Sequence, residues 1–154
     1  MPCDRDVRAA DDGVVEPTVT YAVITSTGEL RMHTVDNRIS LDEWGTPYQN
    51  GLWAAVHDDV DPHRGEVNGV ALDGDMRAKI ADAAEHDPEN HPPNPVASAV
   101  LIMLGHEPRH WSGTIAIVGQ EEDDNGITAS LTSEQRKVIT EAYWSAVASQ
   151  RQTA

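Results

Sequence analysis

Three stretches of this sequence hold side chains that can do chemistry. The first is His57-Asp58-Asp59-Val60-Asp61-Pro62-His63. Imidazole nitrogens and carboxylate oxygens crowded together in this way suit a divalent cation, which takes both as ligands. The candidate metal ligands are His57, Asp59, Asp61 and His63, with His86 or His91 as contributors from outside the segment. The spacing matches no preformed site. The Gly and terminal Glu of a calcium-binding EF-hand loop are missing, and Asp-Pro is ordinary turn chemistry.

The second stretch, His106-Glu107-Pro108-Arg109-His110, has the letters of the zinc-protease motif, which works only when both histidines share one helix face. Its surroundings deny it that helix. Gly105 ends one helix, Pro108 would interrupt the next, and Gly113 opens a strand soon after, so the segment is expected to be a connecting loop. The third stretch, Glu121-Glu122-Asp123-Asp124-Asn125-Gly126, ends in the Asn-Gly of a hairpin and is read as a solvated acidic turn. Nucleophilic catalysis has less support. Cys3 is the single cysteine and lies near the N-terminus, and there is no Gly-x-Ser-x-Gly elbow, P-loop or dinucleotide fingerprint. No catalytic residue and no cofactor is assigned.

The elements that would position these segments are easier to read. Asn94 suits a helix N-cap and Pro95 the first helical position. Val96–Leu104 then runs VASAVLIML to a stop at Gly105, which predicts a helix over 95–104 buried on nearly all sides. Thr114–Val118, bounded by Gly113 and Gly119, reads as a central strand. Val19–Ser26 and Glu29–Val35, joined by Thr27-Gly28, form a hairpin with apolar residues on both faces of its first strand. Ser40 with Glu43 is a capping box for a short helix that Gly45-Thr46-Pro47 weakens. Leu52–Val56 and Val67–Leu72 read as strands, and Met76–Glu85 as an amphipathic helix with Met76, Ile80 and Ala84 four apart. Three prolines, Pro88, Pro92 and Pro93, make the next stretch a loop. Thr132 with Gln135 caps a final amphipathic helix over Glu134–Ser149.

The succession NPVASAVLIML, GTIAIVG, acidic turn and ITASLTSEQRKVI resembles the C-terminal half of a domain-of-unknown-function family of small proteins from actinobacterial chromosomes, plasmids and phages. Tyr21-Ala22-Val23-Ile24 with Thr27-Gly28-Glu29 is similar to that family's opening strand and turn. The resemblance spans about residues 19–145 and departs from the family between Met76 and Pro93 and in the N-terminal extension. Its motifs are structural punctuation, so it implies a fold and a mobile-element setting and carries over no catalytic residue.

A chain of 154 residues is expected to form one domain, since folding at this size buries about 68–70 % of its surface. The expected organisation is a flexible acidic tail over residues 1–18, a single α+β domain over 19–149 and a disordered C-terminus over 150–154. That domain would hold a mixed or antiparallel sheet of about five strands, with two or three helices packed on one face and the buried helix 95–104 central. With no phenylalanine in the chain, Trp44, Trp53 and Trp111 are expected to supply core bulk. Met1–Pro17 lacks the apolar stretch of a signal peptide and no window approaches the ~20 apolar residues of a membrane span, so a cytoplasmic protein without a membrane partner is expected.

Charge narrows the partners. Asp and Glu number 26 against 11 Lys and Arg, a formal charge of −15. No basic face exists to neutralise phosphates, which argues against direct nucleic-acid binding. Three readings stay open. The favoured one is a small acidic accessory protein, non-enzymatic, that meets a protein partner with a basic surface. The second is a DNA mimic inhibiting a nucleic-acid-binding protein, best supported if carboxylates repeat along one helix face. The third is a metal-binding module or metal-dependent enzyme built on His57, Asp59, Asp61 and His63.

Overall fold

The computed structural model describes residues 17–62, 65–120 and 127–153. Of the expected tail only positions 17 and 18 fall within them, and His63 and the acidic turn Glu121–Gly126 lie outside them. Thr18–Ile24 (β1) and Leu30–Asp36 (β2) form the expected hairpin, in register from Thr18 opposite Asp36 to Ile24 opposite Leu30. A small separate sheet follows, Ile39–Leu41 (β3) paired with Pro47–Gln49 (β4), and leads directly into helix Asn50–Val60 (α1). Val67–Leu72 (β5) and Met76–Ala81 (β6) make a second hairpin, followed by a 3₁₀ turn over Asp82–His86. Helix Pro95–Met103 (α2), strand Ile115–Val118 (β7) and helix Ser133–Thr153 (α3) complete the order.

The main sheet is antiparallel throughout, ordered β2-β1-β7-β6-β5. β7 takes the centre, as its short run of wholly buried residues predicts. Alternation sorts each strand's side chains between two cores. Ala22, Ile24, Ile115, Ile117, Ala78 and Ile80 face α2 and α3; Val19, Tyr21, Val23, Ala116 and Val118 face α1. The result is an α+β domain with helices on both sides of the sheet. The expectation of one helical face is corrected by α1.

That correction begins with Leu52–Val56, which is helix and not strand. Leu52, Val56 and Val60 recur every fourth residue and are all fully buried on one side of α1. Each contributes about 1.5–3 kcal/mol of burial, against propensity differences of at most about 0.7 kcal/mol per residue. The polar His57-Asp58-Asp59 occupies the rest of the helix surface.

Met76–Glu85 goes the other way. A spacing of four fits period 2 as well as period 3.6, and Met76, Ala78 and Ile80 are buried on one face while Arg77 and Lys79 lie on the other. Strands β5 and β7 pair with β6 from both sides, and this ladder overrides the helix preference of Ala, Arg and Lys.

Around α2 the sequence reads true. Asn94 Oδ1 accepts from Ala97 N–H (3.1 Å), Pro95 opens the helix, and Gly105 stops it at φ +99°, a left-handed conformation open to glycine. Burial on nearly all sides is not observed, because Ile102 and Met103 are more than 40 % exposed. The Thr132–Gln135 capping box is reciprocal, with Gln135 N–H donating to Thr132 Oγ1 (3.0 Å) and Thr132 N–H to Gln135 Oε1 (2.9 Å). Helix α3 then continues to Thr153, into the stretch expected to be disordered. Tyr143 O–H donates to Gly28 O (2.7 Å), pinning α3 to the β1–β2 turn. Among the described residues, no helix is long and apolar enough to cross a membrane.

Candidate functional site

The proposed metal ligands are distributed around α1. His57 is exposed in its last turn, Asp59 is half-buried, Asp61 is buried just past the helix end, and His63 is outside the described residues. At about 100° per residue, Asp59 points away from His57 while Asp61 returns to its side. His57 and Asp61 accordingly line a cleft of about 520 Å³ with Tyr48 and Trp53, whereas Asp59 lines another of about 480 Å³ with Tyr21 and His33. His91 lies against Asp61, Nε2 to Oδ1 3.9 Å, and both are buried. His86 is exposed on the 3₁₀ turn. Among the described residues, no group of three or more His, Cys, Asp or Glu side chains is placed to hold a metal ion.

Asp59 has another employment. Tyr21 O–H donates to its Oδ2 (2.5 Å), and His33 Nδ1 approaches the same oxygen at 3.1 Å. Edge strand β2, interior strand β1 and helix α1 meet at this carboxylate. The sequence separates the three residues so widely that no local motif reveals them. With its proton on Nδ1, His33 donates to Asp59, the pairing in which a carboxylate holds an imidazole base. A nucleophile is not supplied. Among the described residues the only hydroxyl bonded to His33 is that of Tyr21. Burial, reinforced by the hydrogen bond to Asp59 and by the charges of Asp59 and Asp58, pushes the Tyr21 phenol well above its ordinary value of 10.0. The cluster ties the sheet edge to α1.

This shift fixes a pH response. The folded state holds the Tyr21 proton above pH 10 while the unfolded chain releases it, so the contribution is full below pH 10 and falls as pH rises beyond it. Melting temperatures recorded from pH 8 to about pH 11 should decline more steeply above pH 10 for wild type than for Tyr21→Phe, which has no phenol to ionise. Parallel curves for the two proteins would refute the assignment.

The remaining feature is the β3–β4 hairpin, in the segment read from sequence as a short, weakened capped helix with Trp44 in the core. Trp44 is 81 % exposed and Leu41 67 %, and neither belongs to the core. Ile39 is exposed on the same face of the hairpin as Leu41, and Tyr48 is exposed on the other. The Asp42 side chain organises the turn: Oδ1 accepts from Trp44 N–H (2.8 Å) and Thr46 N–H (2.9 Å). Its backbone N–H donates to Thr46 O (3.0 Å), its carbonyl accepts from Gly45 N–H (3.0 Å), and Gly45 takes φ +80°. An acidic side chain at the first turn position bonding to backbone two and four residues on is what replaces the expected helix.

The hairpin root is fixed as well. Gln49, fully buried, donates from Nε2 to Asn37 Oδ1 (2.8 Å) and Thr128 O (2.9 Å), and accepts at Oε1 from Thr128 N–H (2.5 Å). The backbone that carries Trp44 is thus held both at the turn and at the hairpin root. Asp42 and Glu43 put carboxylates beside Trp44. No protein-family model matches the chain, and no curated protein or solved structure is significantly similar to it.

Proposed function

We propose that the protein is a small, acidic, non-enzymatic interaction module that docks on a protein partner through the β3–β4 hairpin. The observation that carries this reading is the 81 % exposure of Trp44 at the tip of a hydrogen-bonded turn. An exposed indole gains nothing from folding, whereas buried tryptophans dominate the energy of protein interfaces. Fixing the turn beforehand removes part of the ordering cost of association. Leu41 and Ile39 share one face of the hairpin and extend the apolar surface, and Asp42 and Glu43 edge it with negative charge within a chain of −15. The partner is accordingly a protein whose apolar pocket is rimmed by Arg or Lys. An accessory role of mobile-element type rests on the sequence resemblance alone, since no family model matches the chain.

Mimicry of DNA has less support, because no described helix carries a file of carboxylates. Helix α3, the longest, has Glu134 and Glu141 against Arg136, Lys137 and Arg151. Affinity capture from the native cell at low and high salt, with wild type and Trp44→Ala side by side, tests the proposal. A specific protein is expected on wild type, weakened by salt and lost from Trp44→Ala. A partner held equally by both proteins would refute it.

A further inference from the structure

Val96–Leu104 is apolar almost throughout, and a helix of that kind is buried by its own fold or by something else. The last turn of α2 is left uncovered. Met103 is 46 % exposed, and with Val138 of α3, 42 % exposed, it lines a groove of about 390 Å³ that Met76 and Leu104 complete. That volume is within the roughly 300–1,000 Å³ of ligand pockets, and the unbranched thioethers of Met76 and Met103 adapt to an incoming surface. The groove is shaped in advance by the β5–β6 turn, where Gly74 (φ +75°) and Asp75 (φ +61°) are both left-handed. Gln135 of α3 donates from Nε2 to Gly74 O (2.8 Å), and Asp73 N–H donates to Leu104 O (2.8 Å), so the turn is tied to both helices. A surface fixed before binding loses less entropy on association.

The edge of the groove is negative. Asp73, Asp75 and Glu134 are exposed along it, and their carboxylates have no hydrogen bond or ion pair among the described residues. No Lys or Arg belongs to the described lining, and Arg136 turns instead to Leu131 O (3.1 Å) and Ser133 Oγ (3.1 Å). Since Asp73 N–H and Gly74 O are already engaged, the occupant must satisfy its own backbone, as a helix does.

We propose that this groove docks an amphipathic helix of a protein partner, with apolar side chains on Met103, Leu104 and Val138 and with Lys or Arg facing Asp73, Asp75 and Glu134. A second copy of the chain does not fit, because two-fold pairing would set each acidic edge against its own kind in chains of −15. The groove and the β3–β4 hairpin are separate surfaces. The hairpin leads into α1 on the other face of the sheet, so binding at either can be lost without the other.

The test follows the methionine methyl signals of the ¹³C-methyl-labelled full chain at a constant ionic strength of about 0.15 M. The probe is a synthetic helix of about 14 residues of leucine and lysine, with leucines at i, i+3, i+4 and i+7, added to about 1 mM. It should shift Met103 and leave Met32, on edge strand β2, in place. Replacing its leucines by serine, or its lysines by glutamate, should weaken binding at least about tenfold. Val138→Lys, at an exposed helix position, should do the same with the fold intact. Asp73→Asn/Asp75→Asn should weaken binding at least about threefold, since asparagine accepts a left-handed backbone as aspartate does. Trp44→Ala should bind the peptide as wild type does. A Met103 signal unmoved by the peptide, or a Met32 signal moved as much, would overturn the proposal. So would equal binding of either control peptide, unchanged affinity in either groove variant, or a loss in Trp44→Ala as large as in Val138→Lys.

Discussion

Asn94→Ala is expected to destabilise the protein by about 3 kcal/mol. The side chain is buried and performs two tasks. Its Oδ1 caps α2, for which replacement by alanine costs about 1 kcal/mol. Its Nδ2 donates to Gly113 O (2.8 Å) and Thr25 O (3.1 Å), joining the start of α2 to the approach of β7 and the end of β1. Alanine leaves the buried Gly113 carbonyl without that donor, worth about 1–3 kcal/mol, whereas Thr25 O keeps the Gly28 N–H. The melting temperature should drop by about 10 °C, given roughly 2–4 °C per kcal/mol at this size. Asn94→Ser separates the tasks, because a serine hydroxyl keeps the cap and is too short to reach Gly113 O. Its loss should be intermediate. Urea denaturation checks both, with a lowered midpoint and an unchanged slope.

Gln49→Leu should cost a similar about 3–4 kcal/mol, through orphaned partners and not through lost volume. Leucine fits the space but leaves Thr128 N–H and Thr128 O without their partner in a site closed to solvent. The two variants differ in what else they disturb. Asn94 secures the α2 side of the sheet, far in the fold from the hairpin, whereas Gln49 is the last residue of β4 and holds the hairpin root. Gln49→Leu should therefore also speed amide hydrogen exchange at Trp44 and Thr46, and Asn94→Ala should do so only in proportion to global unfolding. Equal exchange at these amides in the two variants would show that Gln49 does not rigidify the hairpin.

The parts of the fold legible in sequence are those where local chemistry and tertiary demand agree. Asn94, Pro95 and Gly105 bracket α2, Thr132 and Gln135 cap α3, and Thr27-Gly28 turns β1 into β2 because each acts on its own immediate backbone. The failures share a cause. Met76, Ile80 and Ala84 satisfy two periodicities at once, and only the pairing of β6 with β5 and β7 chooses between them. Leu52–Val56 is too short a window to reveal that Val60 continues its stripe past three polar residues. Ser40 and Glu43 have capping-box spacing, but Asp42 captures the backbone first.

The candidate sites were less legible still. His57, Asp59 and Asp61 are neighbours in sequence and diverge because a helix rotates them apart; the partners of Asp59 and Asp61 come from Tyr21, His33 and His91, far along the chain. Trp44 carries no sequence mark that distinguishes it from Trp111, since exposure depends on whether the fold places other elements over it. One of these tryptophans is 81 % exposed and the other 5 %.

The central claim is that Trp44 is the docking residue, and the dissociation constant of the captured partner tests it most directly when measured for wild type, Trp44→Ala and Trp144→Ala. Trp144, 60 % exposed on α3, is the matched control. The account predicts that Trp44→Ala weakens binding at least about 30-fold, the effect of losing about 2 kcal/mol at an interface anchor, while Trp144→Ala stays within about threefold of wild type. An unchanged constant for Trp44→Ala, or the larger loss in Trp144→Ala, would contradict it.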